Sequence, residues 1–352
     1  MLKFAFIGCG RVAKRHSELI GLHQIEGAQL VAVCDKEEKK AKTIGSQFNI
    51  PYYTDIDQML KSEPVDVVSI LTESGNHAKN VLQVTKYGKH IIVEKPIALT
   101  LEDADAIIKA CDIARVKLFV VKQNRFNLPV QKLREALDAG RFGQLVLGTV
   151  RVRWCRRQEY YDQDAWRGTW ANDGGVLANQ ASHHIDLLEW MMGGVESLFA
   201  KSITALVDIE TEDTAVATLK FSNGALGLIE ATTATRPTDL EGSISIMGER
   251  GTVEIAGFAM NEIKVWQFEE VLPMDKDIMK KYSVNPPNVY GFGHQSYYRH
   301  VVDCIINDKQ QLVDGLEGRR SLEIITALYE SIETGKEVFL RFNPKQFKLG
   351  QQ

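Results

Sequence analysis

The residue of this sequence best placed to take part in chemistry is a lysine that follows an apolar run. Residues 91–93 are Ile-Ile-Val, which predicts a buried parallel strand, and Glu94-Lys95-Pro96 comes directly after them. Ligands of open α/β sheets bind in the crevice beyond the carboxyl ends of the strands. Lys95 would stand there on a rigid element, desolvated enough to exchange protons. Many strands that bind nothing also end in charged residues, so the lysine alone does not define a site.

A glycine-rich segment upstream predicts a dinucleotide site. Gly8-Cys9-Gly10-Arg11-Val12-Ala13 follows a predicted strand, opens a predicted helix and matches G-x-G-x-x-G/A. Such glycines allow a tight turn and a close approach of the backbone to a pyrophosphate, whose charge the helix amino terminus stabilises. The residues expected to bind the cofactor here are Gly8, Gly10, Arg11 and Val12. The alternative is a glycine turn without a ligand.

Two further loops are predicted to reach the same cleft. Asp35 ends the second strand, where a carboxylate hydrogen-bonds the ribose hydroxyls and repels a 2′-phosphate, so NAD is favoured over NADP. Lys36 weakens that preference, and Asp35 could instead only cap the following helix. The segment from Thr72 to His77 follows the third strand. His77 could equally cap the next helix or lie on its surface.

A second chemical cluster lies in the middle of the chain, where Gly174-Gly175 precedes a stretch of helical spacing. Asn179 and His183 are four residues apart, so both project from one face of the predicted helix, and Asp186 follows. A histidine there could exchange a proton near neutral pH, although a lone histidine is more often structural. Adjacent His183 and His184 diverge by about 100° around a helix, so we expect no metal site.

The residues just before this cluster are dense in aromatic and hydrogen-bonding side chains, both in Tyr160–Trp170 and in Arg151–Arg157. Arginine binds carboxylates and phosphates bidentately, so these segments suit an anionic, polyhydroxylated ligand. A subunit interface, which also favours Tyr, Trp and Arg, is equally compatible.

The elements that would position these residues fall into two domains, residues 1–122 and 123–352. In the first, strands and helices alternate with short connections, which predicts a doubly wound parallel sheet of the Rossmann type. Its predicted strands are Lys3–Ile7, Gln29–Cys34, Val65–Leu71, His90–Val93 and Leu118–Val121. Its predicted helices are Val12–Leu22, Glu37–Gln47, Ile56–Lys61, His77–Tyr87 and Leu101–Ala114.

The second domain is predicted to be α+β with a large open sheet, mixed or antiparallel, because its strands alternate apolar and polar residues. The predicted strands are Val146–Trp154, Ser197–Val207, Ala215–Phe221, Ala225–Thr232 and Gly242–Met247, with a hairpin turn at Ser222-Asn223-Gly224. The predicted helices are Pro129–Ala139, Leu177–Met192, Tyr297–Ile306 and Glu317–Glu333. Pro273–Tyr290 is predicted to be an irregular loop.

The bulk properties exclude several classes of protein. The chain has 352 residues and a formal net charge of −4, which gives no electrostatic reason to expect nucleic-acid binding. No apolar run approaches the roughly 18–20 residues of a membrane span, and the amino terminus predicts no signal peptide. The five cysteines are scattered without a CxxC pair, so free thiols and a cytoplasmic location are expected.

The chain resembles the Gfo/Idh/MocA oxidoreductase family over nearly its whole length, in the order of Gly8-x-Gly10-x-x-Ala13, Asp35, Glu94-Lys95-Pro96, Gly174-Gly175 and His183. The resemblance implies a Rossmann domain, a second α/β domain with a large open sheet, and NAD- or NADP-dependent oxidation or reduction of sugars, cyclitols and related alcohols. Lys95 then corresponds to the family's active-site lysine and His183 to its catalytic histidine.

Two positions depart from the family pattern. Asn179 stands where the family often has an aspartate, four residues before the histidine. An amide cannot usefully accept a proton, which argues against an Asp–His relay. Glu73 stands where a proline often follows the threonine of the third-strand loop, and we expect that change to be local.

A narrower resemblance is to bacterial UDP-N-acetylglucosaminuronate 3-dehydrogenases, which make precursors of diacetamido uronic acids for surface polysaccharides. It rests on Lys122–Asn127, Arg151–Trp170, Asn179-Gln180, Tyr290–His294 and Tyr297-Tyr298. The implied cofactor contacts, besides the glycine loop and Asp35, are Thr72, His77, Glu94, Lys95, Gln123, Trp166 and Arg167. The implied substrate contacts are Lys95, Asn124, Arg153, Tyr161, Arg167, Asn179, Gln180, His183 and His294. A homo-oligomer, dimer or tetramer, is also implied.

The expected reaction is reversible hydride transfer between a secondary alcohol carbon and C4 of nicotinamide. The narrower resemblance makes that carbon C3 of the sugar. His183 is expected to accept the hydroxyl proton, and Lys95 to orient the hydroxyl and stabilise charge on its oxygen, although the reverse assignment stays open. One alternative is a family member acting on a free sugar, inositol or another nucleotide sugar. The other is a non-catalytic dinucleotide-binding regulator, against which the presence of both Lys95 and His183 argues.

Overall fold

The protein was analysed as a computed structural model that describes residues 1–257, 259–284 and 292–340. The strands of its first sheet are β1 (Leu2–Ile7), β2 (Ala28–Cys34), β3 (Tyr52–Tyr53), β4 (Val67–Ile70), β5 (His90–Val93) and β6 (Leu118–Val120). They are parallel, in the order β3-β2-β1-β4-β5-β6. The helices between them are α1 (Arg11–Gly21), α2 (Glu38–Phe48), α3 (Ile56–Ser62), α4 (His77–Thr85) and α5 (Leu101–Ala114). The predicted doubly wound parallel sheet is confirmed.

Both faces of this sheet are covered, which explains its continuous apolar strands. Phe4 and Phe6 pack with residues of α1 and α2, whereas Ala5 and Ile7 pack with residues of α3 and α4 on the other face. Central strands buried on two faces need apolar side chains at nearly every position. Of the strands in this sheet, only β3 was not predicted, because a strand of two residues is too short to show a periodicity.

The second sheet has eight strands, β7 (Leu145–Arg153), β8 (Val195–Ile203), β9 (Thr214–Phe221), β10 (Leu226–Thr232), β11 (Glu241–Gly248), β12 (Gly251–Ala256), β13 (Glu262–Phe268) and β14 (Val338–Phe339). Their order is β13-β12-β11-β7-β10-β9-β8-β14. β7 and β10 pair in parallel and the other neighbours are antiparallel. The predicted large mixed sheet is therefore confirmed, as is the hairpin between β9 and β10.

Several predicted boundaries in this part are wrong. The strand predicted to reach Val207 ends at Ile203, because the carboxylate of Asp213 accepts hydrogen bonds from the backbone N–H groups of residues 205 and 206 and holds a turn there. The strands β12, β13 and β14 were not predicted. The predicted loop Pro273–Tyr290 begins with a 3-10 turn at Pro273–Asp277 and then a short helix, whereas residues 285–290 lie outside the described part.

The helices of the second part are α6 (Leu128–Asp138), α7 (Gln158–Tyr161), α8 (Ser182–Met192), α9 (Ile278–Tyr282), α10 (Gly293–Ile306) and α11 (Gly315–Thr334). The predicted helix Leu177–Met192 is divided, because Val176–Gln180 forms a π-helical turn ahead of α8. α10 packs Tyr298 and Val301 against the first sheet, beside Phe4. The division at residue 122 stays a prediction. Within the described residues, no helix has the length and apolar character needed to cross a membrane.

Candidate active site

A cleft of about 1620 Å³ lies where the loops after β1, β2, β4 and β5 face the π-helical turn and the segment that precedes it. It is lined by residues from the part of the chain that forms the first sheet and by residues from the part that forms the second sheet. The predicted site residues among them are Gly8, Gly10, Arg11, Val12, Asp35, Thr72, Glu94, Lys95, Gln123, Trp166, Arg167, Asn179, Gln180 and His183. The structure thus brings most of the predicted cofactor and catalytic residues into one cleft.

The loop after β1 and the end of β2 form the dinucleotide end of the cleft. Gly8 has φ +94°, and a Cβ there would lie 2.6 Å from the carbonyl carbon of Leu71, so a side chain would displace the backbone. A Cβ on Gly10 would meet nothing within 4 Å, so this backbone borders open space. Asp35 accepts hydrogen bonds from two backbone N–H groups, at 2.7 and 2.8 Å, and keeps lone pairs for hydroxyl donors. Bare backbone for a pyrophosphate and a carboxylate for a ribose fit a dinucleotide.

An ion pair joins the two loops beside Asp35. Lys36 Nζ lies 2.9 Å from Glu73 Oε1, which also accepts a hydrogen bond from Asn76 Nδ2 at 2.7 Å. Burial opposes ionisation of Glu73, but the hydrogen bond from the Lys36 ammonium is part of what holds its pKa below the ordinary value. The charge of Lys36, which weakened the sequence-based preference for NAD, is therefore paired with a carboxylate. The replacement of the family's proline by Glu73 supplies that partner.

Lys95 emerges from the end of β5 and contacts the π-helical turn. Its Nζ donates hydrogen bonds to the backbone oxygen of Asn179 at 2.8 Å and to Asn179 Oδ1 at 3.1 Å. Burial lowers the pKa of Lys95, and the carboxylates of Glu94 and Asp173 oppose that shift without reversing it. The ammonium is therefore held in a fixed direction inside the cleft, with its third N–H not committed to Asn179.

Glu94 is a buried anion at the base of the lysine. Glu94 Oε1 lies 3.0 Å from His16 Nε2, and Glu94 Oε2 accepts a hydrogen bond from the backbone N–H of Lys95 at 3.0 Å. Burial would raise the pKa of Glu94, but the hydrogen bond and charge of His16 outweigh it and lower the pKa to about 2. The other ring nitrogen of His16 lies 2.6 Å from the hydroxyl of Tyr298. Glu94 therefore supplies a permanent negative charge next to Lys95.

His183 stands one turn beyond Asn179, at the start of α8. Its Nε2 lies 3.0 Å from the amide nitrogen of Gln123, and its Nδ1 has no hydrogen-bond partner among the described residues. Burial, and then the charges of Lys95 and Lys122, hold the pKa of His183 well below its ordinary 6.5. The ring is therefore neutral near pH 7. The amide of Gln123 can be placed with either its nitrogen or its oxygen toward Nε2, so the tautomer of the ring follows from the orientation of that amide.

A buried ionic network behind α8 fixes the helix, and sequence reasoning did not identify it. Arg125 donates two hydrogen bonds to Asp186, both at 2.9 Å, and a third to Glu317 of α11 at 2.9 Å. Lys122 lies 3.6 Å from Asp186 and donates to Ser321 at 2.7 Å. Lys122 and Arg125 lie in the segment just beyond the end of β6, so the rule that strand ends carry function could have found them.

One wall of the cleft is built around Tyr160. Its hydroxyl accepts hydrogen bonds from Arg167 Nη1 at 2.8 Å and Gln180 Nε2 at 3.2 Å. The guanidinium of Arg156 lies over the rings of Trp154 and Tyr160, at 5.3 and 5.4 Å, and that of Arg167 over Tyr160 at 4.6 Å. Two guanidinium groups that lie over aromatic rings make this wall suited to an anionic, ring-containing ligand.

In the described part of the chain, five predicted site residues do not line the cleft. His77 is buried, with its ring nitrogens 2.7 and 3.1 Å from two backbone oxygens. Arg153 lies on the broad sheet, bound by two carboxylates. Tyr161 is buried with its hydroxyl 3.1 Å from a threonine hydroxyl. His294 is buried against the ring of His16, and Asn124 is half-buried beside Gln123.

Asp173 lines the cleft but was not predicted as a site residue. Its carboxylate accepts hydrogen bonds from Asn179 Nδ2 and, at 2.8 Å, from the backbone N–H of Gly168. Its only sequence signal is its position immediately before Gly174-Gly175, which carries no periodicity and no motif.

Family models match both parts of the chain. Residues 2–122 match the model of an oxidoreductase family with an NAD-binding Rossmann fold, and residues 134–340 match the carboxy-terminal α/β domain of the same family. A curated relative, D-apiose dehydrogenase from Paraburkholderia graminis, is 26% identical over 96% of this chain and 90% of its own length. The predicted NAD-dependent oxidoreductase class is thereby confirmed.

Two solved structures are more similar. One is the WlbA dehydrogenase from Bordetella pertussis in complex with NADH and UDP-GlcNAcA, at 41% identity and TM-score 0.93, covering 97% of this chain and 98% of that one. The other is the WlbA dehydrogenase from Chromobacterium violaceum with the same two ligands, at 40% identity and TM-score 0.91, covering 97% of each chain.

Proposed function

Because the chain belongs to the Gfo/Idh/MocA oxidoreductase family, we propose that it oxidises the C3 hydroxyl of UDP-N-acetylglucosaminuronic acid with NAD. The observation that carries the proposal is the meeting of Lys95 and His183 in one cleft that also holds the glycine loop and Asp35. The similarity to two dehydrogenases whose structures contain NADH and UDP-GlcNAcA supports the choice of substrate.

His183 is the proton acceptor in this proposal. Oxidation of the alcohol breaks its C–H and O–H bonds, so that a hydride and a proton leave and a carbonyl forms. Bound NAD supplies the hydride acceptor. The lowered pKa of His183 keeps its ring neutral and able to take the proton near pH 7, and general-base catalysis of this kind contributes roughly 10²–10⁴-fold.

Lys95 is the hydrogen-bond donor to the reacting oxygen. Two of its donors contact Asn179, so the third has a defined direction, and the buried charge stabilises negative charge that develops on the oxygen. The depressed pKa of Lys95 would also allow it to exchange a proton, but its amino group already acts as a hydrogen-bond donor to Asn179, which fits the donor role. The proposal therefore takes His183 rather than Lys95 as the proton acceptor.

The wall around Tyr160 would recognise the negative charges of the substrate. Arg156 and Arg167 present guanidinium groups at the cleft, where a uronate carboxylate or a diphosphate could pair with them. Arg156 is already bound to Asp239 at 2.9 Å, and Arg167 to Asp164 at 3.1 Å. These carboxylates orient the guanidinium groups and leave other N–H groups to bind the ligand.

A homo-oligomer and a cytoplasmic location complete the proposal. The outer face of the broad sheet carries the exposed side chains of Val216, Leu226 and Leu228 on adjacent strands, a surface suited to a second copy. The five cysteines are all unpaired, which supports a reducing compartment.

A substrate screen tests the function. Purified protein with NAD is mixed with UDP-N-acetylglucosaminuronic acid, UDP-N-acetylglucosamine, inositol and D-apiose, and NADH is followed by its absorbance. We expect the strongest response to the uronate. UDP-N-acetylglucosamine keeps the diphosphate but has no carboxylate to pair with an arginine, so its response should be much weaker, and the uncharged inositol and D-apiose should respond least. A response to inositol or apiose, with none to the uronate, would instead favour a free-sugar dehydrogenase.

A further inference from the structure

We propose that Asp173 is a positioning residue that orients Asn179 toward Lys95 and supplies the negative charge that the family often places at position 179. The proposal rests on the proposed function only for the choice of substrate. It explains how the site works although Asn179 is an amide.

The contacts form a chain from a buried carboxylate to the catalytic ammonium. Asp173 is 2% exposed, and its Oδ1 accepts a hydrogen bond from Asn179 Nδ2. Asn179 Oδ1 in turn accepts from Lys95 Nζ at 3.1 Å. The other carboxylate oxygen of Asp173 accepts the N–H of Gly168 at 2.8 Å. The amide therefore lies between an anion and a cation, bonded to both.

This arrangement allows only one orientation of the Asn179 amide. Turned by 180°, its oxygen would face the carboxylate of Asp173 and its NH₂ would face the ammonium of Lys95, which places like charges together on both sides. Asp173 therefore holds the NH₂ of Asn179 and keeps its oxygen directed at Lys95. Without the carboxylate, the amide keeps only Lys95 as a charged partner that distinguishes its two ends.

The charge of Asp173 also acts on Lys95. Burial lowers the pKa of Lys95, and the Asp173 carboxylate is one of two groups that oppose the shift. Burial raises the pKa of Asp173 itself, whereas the Gly168 N–H and the Lys95 charge act in the opposite direction. The two groups therefore stabilise each other's charged form across the amide.

A purely structural role for Asp173 predicts different behaviour. Asp173 closes the loop before the glycine pair through Gly168, and Asp173→Asn would keep that contact because an amide oxygen also accepts an N–H. A loop-closing residue would therefore tolerate the substitution. A residue that orients Asn179 would not, because an amide at 173 that keeps its oxygen on Gly168 turns its NH₂ toward the NH₂ of Asn179, and Asn179 then cannot keep both of its contacts.

The test is an exchange of the two side chains, with Asp173→Asn, Asn179→Asp and the double variant compared with wild type. Asp173→Asn is expected to lower kcat by roughly 10–100-fold, within the range of one misplaced acid–base group, and to leave KM and NADH affinity nearly unchanged. The double variant restores every contact with the carboxylate at 179, and we expect its kcat to return to within about 3-fold of wild type. Asp275→Asn, at a carboxylate bound to Arg141 far from the cleft, is the matched control.

A second readout needs no substrate. Competitive acylation of the apoprotein across pH, quantified by mass spectrometry for the peptide that contains Lys95, reports the pKa of that lysine. We expect this pKa to fall in Asp173→Asn and to rise above the wild-type value in the double variant, where the carboxylate contacts Lys95 directly. Should the wild type not oxidise the uronate, this measurement still decides the role of Asp173.

The exchange also defines the results that would overturn the proposal. Asp173→Asn with wild-type kcat and an unchanged pKa of Lys95 would assign Asp173 to the loop alone. A double variant no more active than Asp173→Asn, while folded and binding NADH as tightly as wild type, would do the same.

Discussion

The two ends of the cleft bind their ligands by different means. At the dinucleotide end, one contiguous segment provides backbone geometry, with a positive φ at Gly8 and open space above Gly10. At the chemical end, side chains from distant parts of the chain meet, since Lys95 and Asn179 are separated by 84 residues. A backbone site depends on shape and a side-chain site on charge and orientation. Cofactor binding and turnover should therefore be separable by mutation.

The largest expected effect is on kcat and comes from substitutions at the chemical end of the cleft. His183→Ala and Lys95→Ala should each lower kcat by roughly 10²–10⁴-fold, because they remove the proton acceptor and the hydrogen-bond donor of the reacting oxygen. NADH affinity, measured by fluorescence titration, should change by no more than about 3-fold. Near wild-type turnover of either variant with saturating NAD would show that the catalytic pair is misassigned.

Substitutions at the two glycines should have the opposite pattern. Gly10→Ala adds a methyl group into space free of protein atoms, so its melting temperature should match wild type while NADH binds roughly 10-fold more weakly or worse. Gly8→Ala should lose both stability and binding, because its Cβ would meet the backbone of Leu71 and Thr72. If Gly10→Ala bound NADH as wild type does, the cofactor would not approach this loop.

The same contrast explains what the sequence could predict. The parallel sheet, the glycine loop and Asp35 follow from local patterns, and the structure contains them where they were expected. Lys95 and His183 came from strand-end position and helical spacing together with the family motifs. Asp173 carries no such signal, because its role arises from contacts with Gly168 and Asn179 that exist only in the folded loop.

Some residues that the sequence predicts at the site lie elsewhere in the structure. Arg153 lies in a segment rich in arginine, but the alternation along β7 turns it toward Glu230, which it contacts at 2.6 Å. Tyr161 is adjacent to Tyr160, and only Tyr160 lines the cleft. A one-residue difference in direction cannot be read from composition.

Lys122 tests how neighbouring charges control the pKa of His183 at the chemical end of the cleft. Its buried charge is one of the groups that lower the pKa of His183, so Lys122→Met should raise that pKa. His183 acts as a neutral base, so kcat/KM falls as the pH drops through the pKa of His183. The acid limb of the pH profile should therefore move to higher pH in the variant. An unmoved limb, with NADH binding intact, would mean that another group controls it.

The smallest effect concerns the anchor of the π-helical turn. Glu212 accepts hydrogen bonds from the N–H of Leu177 at 2.9 Å and from Tyr329 at 3.0 Å, while its second oxygen has no partner in the described residues. Burial raises the pKa of Glu212 from 4.5 to about 7, against the effect of these hydrogen bonds. The protonated form therefore stabilises the fold fully below pH 4.5, and this contribution is lost as the pH rises through about 7.

Glu212→Gln resembles the protonated form at every pH. The difference in the free energy of unfolding between this variant and wild type should grow by about 2 kcal/mol in favour of the variant from pH 5 to pH 8. The difference in melting temperature should grow over the same interval. A difference that shrinks with rising pH would contradict the protonated state of Glu212.

The central claim is that the cleft transfers the hydride from C3 of a UDP-linked uronate while His183 takes the proton. The most direct measurement uses UDP-N-acetylglucosaminuronic acid deuterated at C3 in a single turnover, with mass spectrometry of the reduced dinucleotide. The account predicts one deuterium on the nicotinamide and slower formation of the reduced cofactor than with the unlabelled sugar. Reduced cofactor without deuterium, or no reduction while the sugar nucleotide binds, would contradict it.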